Sequence, residues 1–583
     1  MNGDKTASQV TITGNVLTEN SGTSAVINLT RTDSSLTGQI YAKDGSAITL
    51  NAAPAEGSAA TVTGSGLADG TDSVMTVNAD NTVLNGGYYA LSGGTTTVTL
   101  TGNSVLTAPD TTSGFSAVLG SLPTRPTTVT MTCKGSTCST TVTIGVSVRS
   151  VVGFITGNNM AGGAISGSSF TADTEAGTVV NGNLVAEDNS DMTLTIGGTL
   201  NGYADAWDGS TADITVSGVW NGNSTAYYIG KNTIALTGTW TGDADAYLGG
   251  TLTASIAEGA AWTGDALSEG DSSDGYGLLT VDLSGTWDGN AGTNYGGVLN
   301  ATIESTGVWT GDAESTDSYA DKASEVNVVN KGTWNGDAAA DSSSLLTVNN
   351  TGSWTGDASA SDTGSQVTIT NAGTWSGSAR ADSGSAMTID VSGEWTGDAA
   401  ASGSGTTLTI TDSGVWSGSA AAESGAAVTV SDLNEWTGDA TAAGSGSTMD
   451  ITNAGTWSGS AKTDSGSAMT IDVSGEWTGD AAASGSGTTL TITDSGVWSG
   501  SAAAESGAAV TVSDLNEWTG DAAAVGSGST MDITNTGVWN GNASVSDSAV
   551  MTIGALQTWN GNATVSDSGT GTRLSVTRGR GSR

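Results

Sequence analysis

Polar and apolar residues alternate along most of this chain, and over residues 366–385, QVTITNAGTWSGSARADSGS, the alternation can be read residue by residue. Val367 and Ile369 interleave with Thr368 and Thr370, the two-residue period of a strand with one buried face. A second alternation follows, with Gly373, Trp375, Gly377, Ala379 and Ala381 on one parity and Thr374, Ser376, Ser378, Arg380 and Asp382 on the other. The polar parity faces water, so Trp375 faces inward. Clusters of Gly, Ser, Asp and Asn separate such segments, which predicts units of about 20 residues, each with two short strands.

Tryptophan anchors the repeat. Trp207, Trp220, Trp240, Trp262, Trp287, Trp309, Trp334, Trp354, Trp375, Trp395, Trp416, Trp436, Trp457, Trp477, Trp498, Trp518, Trp539 and Trp559 are all 18 of the Trp residues, and they read as one series. From Trp334 onward the spacing alternates between 20 and 21 residues. The residue two after Trp is always Gly, and from Trp240 onward the residue four after it is Ala.

A unit this short cannot bury its own apolar face and needs like neighbours above and below. Stacked at the inter-strand spacing of roughly 4.8 Å, such units form parallel ladders around an interior column of Trp, Val, Ile, Leu and Met. The expected fold is therefore all-β: a single elongated parallel β-helix, or β-solenoid, with coils of about 20 residues. The expected core of the regular stretch is Trp334, Trp354, Trp375, Trp395, Trp416, Trp436, Trp457, Trp477, Trp498, Trp518, Trp539 and Trp559. Burying about 200 Å² of indole at roughly 25 cal/mol per Å² contributes on the order of 5 kcal/mol per ring before entropy is counted. Gly and Ala beside each indole read as a size match, because one large ring leaves little room in a narrow lumen. The opposite orientation, an exposed aromatic ladder for sugar rings, would push the Thr, Ser and Asp set inward without partners.

Residues 201–565 carry the regular Trp-Gly-Ala repeat. Residues 1–200 contain no Trp but hold strand-like segments such as SAVINLTRT and TTTVTLTGNSVLT, and read as divergent coils of the same solenoid. A stretch near residues 105–130 that contains Pro109, Pro123 and Pro126 interrupts them. Residues 566–583, with Arg573, Arg578, Arg580 and Arg583, read as a disordered basic tail. The segment Ala372–Asn453 recurs as Ala454–Asn535 with changes only at Arg380/Lys462, Ala381/Thr463, Thr441/Ala523 and Ala443/Val525. Such copying suits a fold whose coils contact only their neighbours, and would bring nothing to an active site.

Three residues after Trp, the regular stretch reads Asp357, Ser378, Asp398, Ser419, Asp439, Ser460, Asp480, Ser501, Asp521. Carboxylates on successive coils would lie about 5 Å apart, and alternation doubles that distance, so the pattern reads as relief of like-charge repulsion. The calcium-loading nonapeptide of toxin-type β-rolls is absent.

Acidic residues outnumber basic ones 58 to 15, a net charge of −43, which argues against nucleic acid as a partner. The chain has no His, so Ser/His/Asp triads and His-ligated metals are excluded. No catalytic, cofactor-binding or metal-binding residue emerges, and the chain reads as non-enzymatic, with no cofactor. Cys133 and Cys138, in CKGSTC, are close enough for a small-loop disulfide, and two reduced thiols are an equal reading. No stretch approaches the roughly 20 apolar residues of a membrane helix, and MNGDKTASQV lacks the apolar core of a secretory signal. The expectation is a chain with no membrane span, carrying neither signal nor anchor.

The tandem segments GTWTGDA, GVWSGSA and GEWTGDA, following strands such as LTVNNTGS and VTITNAG, resemble the passenger regions of bacterial autotransporter adhesins of the self-associating and diffuse-adherence types. The resemblance covers about residues 200–565 well and the first third loosely. It implies a right-handed β-helix at the cell surface, on the outer membrane or extracellular, that mediates adhesion, autoaggregation or biofilm formation by binding itself or a host surface protein or glycan. The candidate adhesive face is the outward row Thr368, Thr388, Thr409, Thr429, Thr470 and Thr491, with Asp450 inside it, where many weak hydrogen bonds add up by repetition. Two other readings are an ice-binding solenoid that uses Thr-x-Thr pairs such as Thr368/Thr370, Thr409/Thr411 and Thr491/Thr493, and an inert structural stalk.

Overall fold

The structure, a computed structural model, describes residues 11–54, 59–64, 66–80, 82–85, 88–91, 95–101, 104–107, 128–134, 139–141, 160–165, 169–174, 179–181, 183–318, 322–514, 516–534, 537–554, 557–566 and 571–577. The expected Pro-containing interruption and the Cys133–Cys138 pair involve positions outside these residues.

The chain is all-β, built of parallel strands stacked as a β-solenoid with coils of about 21 residues. Most coils have three strands where the alternation predicts two; in two of them the first two strands run together, as Ala427–Trp436 and Thr448–Trp457. In one coil the three are Gln366–Asn371, Thr374–Trp375 and Ala379–Asp382. The inward parity of Trp375, Gly377, Ala379 and Ala381 runs unbroken, all four buried, but the backbone turns a corner between Ser376 and Ser378 and splits the second alternation into two strands. The coil closes at a Ser383–Gly384 turn with φ of 56° and 85°, the left-handed region that favours glycine at its second position. Below that turn the buried Ser385 hydroxyl donates to the carbonyl of Ala360, one coil earlier, at 2.8 Å.

Two compact units divide the chain, one comprising residues 1–301 and 306–309, the other residues 302–305 and 310–583. In the first unit, the ladder position later held by Trp is aliphatic in the early coils: Ile12, Leu36, Val62, Leu84 and Leu106 pair in register, and Leu200 pairs with Trp220. The Trp-free coils are therefore the same structural unit with a smaller core residue.

That register corrects the place of Trp207. It lies at the end of strand Ala204–Trp207 in the third ladder, paired with Tyr227, only partly buried and outside the indole column. Its 13-residue distance from Trp220 is too short for a coil. A second correction concerns the basic tail, where Arg573–Thr577 forms a strand paired in parallel with Val550–Gly554, because Leu574 and Val576 continue the alternation.

The other indoles stack face to face. From Trp220 to Trp240 the ring centroids are 4.7 Å apart at 8°. In the second unit the separation runs from 4.6 Å at Trp354–Trp375 to 5.1 Å at Trp539–Trp559. Trp334 through Trp457 are at most 1% exposed, as are Trp477, Trp498, Trp518 and Trp539, while Trp559 is half-buried. Each ring sits one strand spacing above the last because parallel pairing in register places identical side chains directly over one another.

Stacking leaves every indole N–H pointing at the backbone of the coil below. Trp375 Nε1 donates to the Gly356 carbonyl at 2.9 Å, Trp416 Nε1 to Gly397 at 3.0 Å, and Trp498 Nε1 to Gly479 at 2.9 Å. From Trp240 onward the accepting residue is the Gly two after the preceding Trp, and for Trp220 it is Gly202, two after the core residue Leu200. These glycines are required by backbone approach, not by lumen width: a Cβ on Gly377 would lie 1.7 Å from the Gly356 carbonyl oxygen, and one on Gly397 1.8 Å from that of Gly377. The size-match argument holds for the alanines, since Ala379 and Ala381 are buried on the inner face of the third ladder.

Candidate functional site

Gln366–Asn371 and its counterparts form the longest strands of the regular coils, and their outer parity builds a polar surface that continues from coil to coil. Val367 and Ile369 point inward, at 1% and 0% exposure, and thereby hold Thr368 and Thr370 outward. The register aligns Thr347, Thr368, Thr388, Thr409 and Thr429 in one column, followed by Asp450, Thr470, Thr491 and Thr511. All six candidate threonines thus fall in a single row; Thr368, Thr388, Thr409, Thr429 and Thr470 are exposed and Thr491 is half-buried.

Among the described residues no protein group hydrogen-bonds the hydroxyls of these six threonines. The neighbouring column runs Asn349, Thr370, Asp390, Thr411 and Ser431, and then, after a bulge near Asp432, Thr452, Asp472, Thr493 and Ser513. Here hydroxyls meet along the ladder, with Thr411 Oγ1 3.4 Å from Ser431 Oγ and Thr493 Oγ1 3.4 Å from Ser513 Oγ. The face can offer a regular array of donors and acceptors to a ligand, but it brings together no acid/base pair aimed at a common point. Among the described residues no cluster of His, Cys, Asp and Glu could hold a metal ion, and no helix is long and apolar enough to cross a membrane.

No protein-family model matches this chain, and no curated protein matches its sequence.

Three polar devices that sequence reasoning missed support the array. Inside the second unit, Asn330 Nδ2 donates to Asn350 Oδ1 at 2.8 Å and Asn350 Nδ2 to Asn371 Oδ1 at 2.7 Å, a fully buried amide ladder. The signal was present, since these asparagines are spaced 20 and 21 residues apart like the tryptophans.

The second device is at the position three after Trp. Asp357 Oδ1 accepts the Ser378 N–H at 2.7 Å, Asp398 Oδ1 the Ser419 N–H at 2.8 Å, and Asp439 Oδ1 the Ser460 N–H at 2.8 Å. Each carboxylate staples its corner to the next coil. Asp312, Asp337 and Asp357 stand on successive coils and are joined by the same bond, so charge separation is not what the position demands.

The third is Asp412, fully buried in the column that Asn371 and Val391 occupy. Oδ1 accepts the Gly414 N–H at 2.8 Å and Oδ2 has no partner. Burial pushes its carboxyl up to about 6 against the opposing backbone bond.

Proposed function

We propose that this protein is a non-enzymatic adhesive solenoid, displayed at a cell surface or released from it, that associates with further copies of itself or with a host surface protein or glycan through its threonine face. The observation that carries this reading is the register of Thr347, Thr368, Thr388, Thr409 and Thr429, one unbonded hydroxyl per coil over five successive coils. Each hydroxyl contributes little alone, but an array at fixed spacing turns weak contacts into avidity once the first has formed. Tandem copying of Ala372–Asn453 fits such a role, because duplication extends the array without rebuilding anything. The resemblance to autotransporter passenger regions points to the same use and to an outer-membrane setting.

The test is a triple substitution, Thr388→Lys, Thr409→Lys and Thr429→Lys, in cells displaying the chain or in purified protein, with sedimentation as the readout. Aggregation should be lost while the circular dichroism spectrum stays that of a β-protein; unchanged clumping would refute the assignment of the face.

The Thr-x-Thr columns, aligned in register, favour ice binding as a second reading, against which Asp390, Asp450 and Asp472 interrupt the hydroxyl lattice. Thermal hysteresis by the unmodified protein distinguishes it. An inert stalk would show neither clumping nor hysteresis.

A further inference from the structure

The first unit carries a second surface of different chemistry, on the outer face of its third ladder. Strands Ala204–Trp207, Ser224–Tyr227 and Ala244–Tyr247 pair in parallel, with Ala204, Ala206, Ala226, Ala244 and Ala246 buried on the inner side. Trp207 pairs with Tyr227 and Tyr227 with Tyr247, while Thr225 pairs with Asp245. One column is therefore aromatic, and the column beside it is acidic at Asp205 and Asp245.

The rings do not lie flat on one another as the core indoles do. Trp207 and Tyr227 meet at 6.1 Å between centroids with planes 58° apart, and Tyr227 and Tyr228 at 6.5 Å and 34°, so they form an angled wall. Tyr227 is 39% exposed and Tyr228 41%. The adjoining turn is apolar and strained, since Ile229 is 56% exposed at φ 56°, where most regular coils place glycine. Exposing a β-branched residue in that conformation costs stability and contributes nothing to the core.

Carboxylates surround this wall without a counter-ion. Asp205, buried and accepting the Thr225 N–H, is pushed up to about 8 by burial and is neutral at pH 7, whereas Asp245, raised to about 6 by burial and by Asp243, Asp265 and Glu269, is charged there. Glu187 and Asp208 are raised too, by burial and neighbouring carboxylates. No cation contributes to any of these environments, and among the described residues no ion pair involves Asp205, Asp208, Asp245 or Glu269.

We infer that the wall of Trp207, Tyr227 and Tyr228, flanked by Asp208 and Asp245, is a binding site for a small organic ammonium ion. Aromatic faces attract cations through their quadrupole, and the preference is strongest when carboxylates set the surrounding potential negative. A bound cation would neutralise like charges that the folded chain now holds together. Trp207 Nε1, buried without an acceptor, can also donate to an oxygen on a ligand that carries a hydroxyl near its ammonium group. This inference concerns the first unit alone and does not depend on the threonine face.

The experiment uses the full chain and choline as the probe, by calorimetric titration at low ionic strength. The neutral isostere 3,3-dimethylbutan-1-ol and the neutral sugar cellotetraose serve as comparators. Choline should bind, and the two neutral molecules should bind at least tenfold more weakly. Tyr227→Ala should weaken choline binding by about 3- to 30-fold. Asp245→Asn should weaken it by about fivefold, with circular dichroism unchanged. No choline binding, equal binding of the isostere, preferential binding of the sugar, or full binding by both variants would each overturn the assignment.

Discussion

Trp395 Nε1 lies 2.9 Å from the carbonyl oxygen of Gly377, one coil earlier, and donates its N–H there. The bond recurs along the column and couples three requirements: an indole, a glycine two residues after it, and a neighbour in register. It explains why the aromatic chosen is Trp and not Phe. A phenyl ring would stack comparably but leave a buried carbonyl without its donor.

Replacing Trp416 separates stacking from hydrogen bonding. Trp416→Phe should destabilise by about 1–3 kcal/mol through the unpaired Gly397 carbonyl, and Trp416→Ala by about 3–5 kcal/mol through the cavity between neighbouring rings. Urea denaturation followed by circular dichroism reads both. No loss in Trp416→Phe would mean that the hydrogen bond contributes nothing, and equal losses in the two variants would mean the same of the stacking.

Gly397→Ala should be among the most damaging single-methyl changes available, on the order of 4 kcal/mol or more, because its Cβ would fall 1.8 Å from the Gly377 carbonyl oxygen. Gly554→Ala is the control, with nothing within 4 Å of the added carbon and an expected change within about 0.5 kcal/mol. The measurement is the difference in denaturation midpoint between the two variants.

Asp412 makes stability depend on pH in the direction opposite to a salt-bridged acid. Its carboxyl is raised from 3.8 to about 6 on folding, so the folded chain binds the proton more tightly than the unfolded chain. The stabilisation is fully present below about pH 4 and is lost as pH rises through about 6, amounting to roughly 3 kcal/mol for a shift of two units. Asp412→Asn keeps an acceptor for the Gly414 N–H and removes the charge. The variant should match the parent at pH 4 and exceed it at pH 7; a stability difference that does not change with pH would count against this account.

Ser419→Asp tests what the alternation at the corners is for. It would set carboxylates at 398, 419 and 439 on successive coils, as Asp312, Asp337 and Asp357 already are. If stapling is the function, the change should cost no more than about 0.5 kcal/mol in 0.15 M salt, whereas Asp398→Ala should cost about 1 kcal/mol by freeing the Ser419 N–H. A large, salt-sensitive loss in Ser419→Asp would restore charge repulsion as the cause.

Much of the fold was legible because β-structure writes its two faces into alternate residues and a solenoid repeats them. The inward set of Val367, Ile369, Trp375, Ala379 and Ala381, and the outward row that begins at Thr368, follow from parity alone. The number of strands per coil did not follow, because the corner near Gly377 bends the backbone without disturbing parity. Trp207 was misplaced for a related reason: its Gly at position 209 satisfied the local motif, and only strand pairing shows that Leu200 holds the core position in that coil.

What the sequence by itself determined is the period, the polarity of each face and the identity of the core, since each depends on residues close together in the chain. The relationships that only tertiary structure decided join residues 18 to 25 positions apart: the indole-to-glycine bonds, the Asn330–Asn350–Asn371 ladder, the Asp357 and Asp398 staples, and the meeting of Trp207 with Tyr227 beside Asp205. Repetition shows that two residues are equivalent, but which atoms of one coil reach the next depends on how the backbone is stacked, and no local pattern carries that distance.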